Sequence, residues 1–169
     1  MKTAYDVLRE LMAHKKSVIS VWEGMPFEKM KLMSTTEKGD IAEDFLAQLL
    51  QIHGYVDVEV KKGRRGHYDV VLNNSVFFEV KAATQDTNGN FQFNGIRYDR
   101  DYTHLFCLGI TPDKLYYLIV NKIDLMKKKY RMVSMAKDSN ATFKLSRRIA
   151  QMGEFENFEA GVETAINET

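Results

Sequence analysis

Apolar positions along the chain fall into two periods, and their alternation divides it into elements. From Thr3 to about His14, Tyr5, Val7, Leu8, Leu11 and Met12 recur at helical spacing between charges, which predicts an amphipathic helix. Ser20 to Met33 is looser and is broken at Gly24-Met25-Pro26, with Trp22 and Phe27 as candidate core anchors. Ser34-Thr35-Thr36-Glu37 fits the capping-box pattern. Behind it Ile41, Phe45, Leu46, Leu49, Leu50 and Ile52 form a long stripe that His53-Gly54 stops. Tyr55 to Val60 alternates as a strand.

Two apolar runs, Val70–Leu72 and Val76–Phe78, flank Asn73-Asn74-Ser75 and predict a β-hairpin. Its open end is charged: Asp69 precedes the first strand, and Glu79 and Lys81 close the second. Side chains alternate along a strand, so Glu79 and Lys81 share a face. The loop length decides whether Asp69 joins them. A three-residue loop pairs Leu72 with Val76 and sets Asp69 opposite Glu79, with Cβ atoms about 4.5–5.5 Å apart. A two-residue loop turns Asp69 away, because a one-residue slip exchanges the faces. The odd loop is preferred on chemical grounds: two carboxylates that close repel unless a cation sits between them. Hard divalent cations take one or two carboxylates plus waters and phosphate oxygens. Asp…Glu-X-Lys then supplies the parts for metal-assisted phosphodiester hydrolysis. The competing reading is a hairpin with solvated charges, where Glu-X-Lys is a surface ion pair worth under about 1 kcal/mol.

Beyond the hairpin, Ala82 to Asp101 turns polar and predicts a long loop. It carries Gln85, Asn88, Asn90, Gln92, Asn94 and Arg97 among Phe91, Phe93 and Tyr98. Amides, arginine and aromatics are the side chains that read base edges or stack on bases. Leu105–Ile110 predicts a buried strand, Thr111-Pro112-Asp113 a turn and Leu115–Val120 the next strand. Ile123–Met126 predicts a short helix and Tyr130–Met135 an edge strand. Phe143, Leu145 and Ile149 are core candidates, and about Phe155 to Ile166 a final helix.

Length and charge narrow the function. The 169 residues suit one domain with a real core, about 34–121, preceded by the helix at 3–14 and followed by a basic and then helical region, 122–169. No window approaches the ~18 apolar residues of a membrane span, and the first residues, Met-Lys-Thr-Ala-Tyr-Asp-Val-Leu-Arg-Glu, break into charges too soon to read as a signal peptide. One cysteine, Cys107, excludes an internal disulfide and a cysteine-based zinc site, and fits a cytoplasmic setting. Cys107 lies in an apolar run and reads as a core thiol. The net charge of +1 hides a strong asymmetry. Ten Lys/Arg lie between Lys114 and Arg148, among them Lys144, Arg147 and Arg148, whereas the segment from Ile149 on has five Glu and no base. A second cluster, Lys61, Lys62, Arg64 and Arg65, with His67 beyond it, adjoins the acidic hairpin. Clustered positive charge is one footprint of nucleic-acid binding. The four histidines show no metal-ligand spacing, and no Gly-rich phosphate loop or Ser/His/Asp motif is present.

Glu43 in Lys38-Gly39-Asp40-Ile41-Ala42-Glu43, then Asp69, then Glu79-Val80-Lys81 resemble the PD-(D/E)XK nuclease superfamily, the group of restriction-endonuclease-like enzymes. The likeness covers about Ser34–Ala83 closely. The namesake proline is absent, since Tyr68 precedes Asp69. The resemblance implies an α/β fold with a restriction-endonuclease-like core, a central mixed β-sheet flanked by helices. It implies Asp69 and Glu79 as metal-binding carboxylates, the Val80 main-chain carbonyl as a further ligand, Lys81 on the attacking water, and Glu43 as the assisting helix acid. Mg²⁺ is the implied cofactor, with Mn²⁺ as a substitute, and double-stranded DNA the substrate. The polar stretch after Gln85 suits base readout, as in a type II restriction endonuclease acting as a homodimer on a palindromic site. Two alternatives stand beside it: a Holliday-junction resolvase or other structure-selective nuclease, and a non-catalytic DNA-binding module on the same fold.

Overall fold

A computed structural model describes residues 2–13, 21–62, 67–135 and 142–169. Helix α1 (Ala4–Ala13) forms as predicted, yet none of its residues is buried. Tyr5, Leu8, Leu11 and Met12 all remain exposed. A short helix, α2 (Glu28–Leu32), follows the turn at Gly24. Trp22 is buried, and Phe27 packs partly against the core, as the pattern suggested.

The capping signal at Ser34 is used in full by α3 (Thr35–Ile52). The Glu37 N–H donates to Ser34 Oγ at 3.2 Å, and the Ser34 N–H donates to Glu37 Oε2 at 2.8 Å. The helix stops at His53, and Gly54 takes φ +90° there, which a side chain would resist. Its buried face is Ala42, Leu46, Ala47 and Leu50. Ile41 and Ile52, predicted to share that face, sit at its margins and are exposed. The two alanines let the helix lie close against the sheet in their place.

Strands β1 (Val58–Val60), β2 (Val70–Leu72), β3 (Val76–Thr84), β5 (His104–Ile110), β6 (Leu115–Asn121) and β9 (Gly153–Glu154) make a six-stranded sheet in the order β1-β2-β3-β5-β6-β9. Only β3 and β5 run parallel, so the sheet is mixed. The β2–β3 register pairs Leu72 with Val76, which is the odd-loop alternative. Asn73 and Asn74 adopt positive φ to close that loop, a conformation Asn tolerates better than most residues. Strand β5 is buried along its whole length, as its unbroken apolar run predicted.

One face of this sheet is covered by α3 and by α5 (Phe158–Asn167), which meet Phe78, Phe106, Leu108 and Tyr117 in one core. Each fully buried Leu or Phe of that core contributes about 1.5–3 kcal/mol. The short helix α4 (Lys122–Met126) follows β6, where Asn121 Oδ1 accepts the Ile123 N–H at 2.8 Å.

The other face carries something the pattern analysis did not predict. The stretch from Ala82 on is not a long loop. Strand β3 continues to Thr84, and after a tight turn the chain forms β4 (Asn90–Ile96), which joins β7 (Met132–Ser134) and β8 (Phe143–Arg148) in a second, three-stranded sheet. Phe91 and Phe93 are fully buried while Gln92 and Asn94 stay outside, a period-2 alternation. Hydrophobic burial of two phenylalanines, with Leu145 paired opposite Phe93, turned a polar-looking segment into a strand. The two sheets are in close contact at Gly109, where a Cβ would stand 3.0 Å from the Phe91 ring. Cys107 lies in this second core and is fully buried, as expected of a core thiol.

Candidate active site

Strand β2 begins only at Val70, opposite Phe78, but β3 runs on past Phe78. One edge of β3 is therefore open beyond that point, and the open edge is where the charged residues collect. Continuing the hairpin register by one step places Asp69 across from Glu79, and the Asp69 N–H donates to the Phe78 carbonyl at 2.7 Å. Asp69 Oδ2 accepts the Val80 N–H at 2.7 Å. A strand residue directs its N–H and C=O to the same edge, so this bond also places the Val80 carbonyl on Asp69's side.

Glu79 is fully buried, which a carboxylate tolerates only with cationic partners. It has two. Lys81 Nζ lies 2.7 Å from Glu79 Oε1, which confirms that both side chains share one face of β3. Arg100 Nη1 lies 3.4 Å from each Glu79 oxygen. Arg100 arrives from the segment between β4 and β5, and no motif in the sequence marked it.

Glu43 reaches the same place from α3. Asp69, Glu79, Val80, Lys81, Glu43 and Arg100 all line one open cleft of about 560 Å³. Burial, and then the charge of Asp69, raise the Glu43 pKa to about 7. Burial and the nearby Glu79 also raise that of Asp69, against the hydrogen bond from Val80. The concentrated negative charge in the cleft is thus strained toward protonation, the condition a divalent cation relieves. The donor set fits such a cation in the form Mg²⁺ prefers: two carboxylates, Asp69 and Glu79, and a main-chain carbonyl, with water completing the shell. Among the described residues no three of His, Cys, Asp or Glu are gathered closely enough to hold a metal by themselves. Glu43 therefore stands beside the Asp69–Glu79 pair and does not complete a triple-acid cluster with it.

Tyr102 is nearly fully buried, and among the described residues its hydroxyl has no hydrogen-bond partner. Burial and the negative charge of Glu79 both raise its pKa. It is a neutral O–H donor beside the buried carboxylate.

The predicted DNA contacts divide sharply. Gln92 and Asn94 line the cleft on its far wall, on the outward side of β4. Gln85, Asn88 and Asn90 do not form a reading surface with them. They build the turn into β4: Asp86 Oδ1 accepts the Asn88 and Asn90 N–H groups at 2.9 Å, and Gln85 Nε2 donates to the Gly89 carbonyl at 3.2 Å. Arg97 is committed to Asp99 by two bonds, at 2.9 and 2.5 Å. Lys61 lies 2.6 Å from Glu59, Lys62 lies 4.0 Å from Asp44, and His67 lies 3.2 Å from Asp101. The Arg147 guanidinium stacks 4.9 Å over Tyr130. Lys144 and Arg148 lie on β8, and Arg148 pairs across with Asn90. Arg64 and Arg65 lie outside the described residues.

No family model and no curated protein matches the sequence. Among solved structures the chain is similar to a bacterial homing endonuclease, I-Ssp6803I. The identity is 16 %, covering 79 % of this chain and 98 % of that one, at a TM-score of 0.47. Among the described residues no helix is long and apolar enough to cross a membrane.

Proposed function

We propose that the chain is a metal-dependent DNA endonuclease that hydrolyses phosphodiester bonds, with Mg²⁺ as its cofactor and Mn²⁺ as a substitute. The observation that carries this reading is the meeting of Asp69, Glu79, Lys81 and Glu43 in one cleft at the open edge of β3. The carboxylates and ammonium come from a hairpin and a helix separated in sequence, and they converge where a backbone carbonyl is also free to face them.

Asp69, Glu79 and the Val80 carbonyl would hold the cation. Bound there, it supplies Lewis-acid charge and acidifies water. The protein does the rest. Lys81 has three N–H donors and gives one to Glu79, so others are left to orient the attacking oxygen or a phosphate oxygen. Glu43, with a pKa near neutrality, takes and releases a proton at working pH. Arg100 balances the buried Glu79 and offers its remaining N–H groups to the charge that develops on phosphorus oxygens. Gln92 and Asn94 face the substrate from β4 with amide groups suited to base edges.

Within this class we favour a sequence-specific enzyme of the type II restriction kind, working as a homodimer so that two clefts address the two strands. The outward amides of β4 support that choice over a structure-selective resolvase. The test is plasmid DNA incubated with Mg²⁺, with EDTA, and with Asp69→Ala or Lys81→Ala, followed by mapping of the ends. Discrete ends that require Mg²⁺ and both residues are expected. Mg²⁺-dependent cleavage that survives both substitutions would defeat the assignment, and a four-way junction cut faster than any linear duplex would favour the resolvase.

A further inference from the structure

The cleft has a cationic end as well as an acidic one. Lys38, Thr35 and Thr36, on the first turns of α3, line it together with the acids. Among the described residues Lys38 has no ion pair, although carboxylates are plentiful around it. A second cation, Lys31, is near enough for its charge to act on it. Lys31 lies behind the same wall and donates to Thr84 Oγ1 at 3.4 Å and to the Gln85 carbonyl at 3.3 Å. Its ammonium also sits 5.5 Å from the centre of the Trp22 ring. Asp86 also lines the cleft and its charge acts on Lys31, but among the described residues it forms no ion pair with Lys38; its oxygens accept from Asn88, Asn90 and Gln92. Partial burial, and then the Lys31 charge, hold the Lys38 pKa below the ordinary lysine value. An ammonium that lines the cleft without an ion pair among the described residues, with a second cation near enough for its charge to act on it, makes a place for an anion.

On the nuclease reading, which this inference presupposes, the anion is part of the substrate. We propose that Lys38 binds a backbone phosphate of the cleaved strand one or two nucleotides from the scissile one, with Lys31 beside it and the Thr35 and Thr36 hydroxyls as further donors. The spacing agrees. Lys38 and Glu43 are five residues apart on α3, about 7.5 Å along the helix axis, whereas DNA advances about 3.4 Å per nucleotide of one strand. The contact sets where the strand lies and thereby which phosphate meets Asp69 and Glu79. It is a positioning contact and carries no sequence information.

The experiment is a titration of a short fluorescein-labelled duplex of mixed sequence with the full chain in EDTA, followed by anisotropy at several KCl concentrations. Wild type, Lys38→Gln, Lys38→Arg and the remote charge control Arg9→Gln are compared. Lys38→Gln should bind several-fold more weakly, and its slope of log K against log salt should be shallower by about 0.9, the signature of one lost phosphate contact. Lys38→Arg should bind like wild type, and Arg9→Gln should be unchanged. Equal binding by wild type and Lys38→Gln, or an equal loss in Arg9→Gln, overturns the assignment. Failure of the nuclease reading looks different: wild type binds the duplex but never cuts it with Mg²⁺. Cleavage by wild type with unaltered Lys38→Gln binding removes only the Lys38 contact.

Discussion

Arg100 Nη1 lies equidistant, at 3.4 Å, from the two carboxylate oxygens of Glu79, twenty-one residues earlier in the chain. Together with Lys81 it makes burial of Glu79 tolerable. The two cations differ in reach: Lys81 rides on the same strand as the acid, while Arg100 comes from outside the sheet.

Removing Arg100 should therefore cost stability as well as activity. Arg100→Ala leaves the buried Glu79 with Lys81 alone and is expected to destabilise the fold by about 1–2 kcal/mol, less than a fully buried pair because the guanidinium is partly exposed. Glu79→Gln in the same background should recover part of that loss. Urea unfolding of the two single variants and the double variant measures the coupling.

Asp69→Asn removes one member of the carboxylate pair. Cleavage should fall about 10²-fold or more, while duplex binding in EDTA is retained. Mg²⁺ should also raise the melting temperature of wild type, since a ligand that binds only the folded state at 100 times its Kd adds about 2.7 kcal/mol. Calorimetry of Asp69→Asn should show little or none of that increase. A full Mg²⁺ shift in the variant would place the ion elsewhere.

The raised pKa of Glu43 has a definite sign for stability. Folded, this carboxyl keeps its proton up to about pH 7; its ordinary value is 4.5. The folded state therefore holds more protons between those values, and stability declines as pH rises from about 4.5 to about 7. Glu43→Gln abolishes that term. Because Glu43 is only half-buried, the gain at pH 8 should be on the order of 1 kcal/mol after solvent screening, and it should vanish at pH 4.5. Melting curves at the two pH values test it.

Ser34→Ala breaks one arm of the box that starts α3, the helix carrying both Lys38 and Glu43. The expected cost is about 1 kcal/mol, a fall of roughly 3 °C in Tm for a chain this long. Circular dichroism melts report it directly.

The hairpin was legible in the sequence because Asn73-Asn74-Ser75 separates two apolar runs; the loop alone left two registers open, and the chemistry of paired carboxylates chose the one that sets Asp69 opposite Glu79. The cap and stop of α3 were legible for the same local reason. What escaped is non-local. Phe91-Gln92-Phe93-Asn94 alternates plainly, but its flanking Asn and Gly residues read as a loop. Its pairing strand, β8, begins about fifty residues later, after the basic stretch that the charge pattern treated only as a possible nucleic-acid surface. Arg100 could not be found by spacing, since nothing in the Asp-Arg-Asp run at 99–101 distinguishes the arginine that turns inward from its solvated neighbours. The same proximity works against Arg97, Lys61 and Lys62: each has an acid within reach in the fold, and charge counting along a chain does not register neutralisation in space.

At Gly109 the small sheet comes close to the bare backbone of the large one. Asp69, Glu79 and Lys81 belong to the large layer and the outward amides of β4 to the small one, and the two are joined by the Asp86 turn and by a shared core in which Phe91 and Phe93 meet Leu105, Cys107 and Tyr116. On the endonuclease reading, the outer surface of the small layer is free to diverge, target by target, without disturbing the chemistry beneath it. Drift at Gly109 is another matter, because a methyl group there would press on the Phe91 ring, which would have to give way by a few tenths of an ångström in the core that the two layers share.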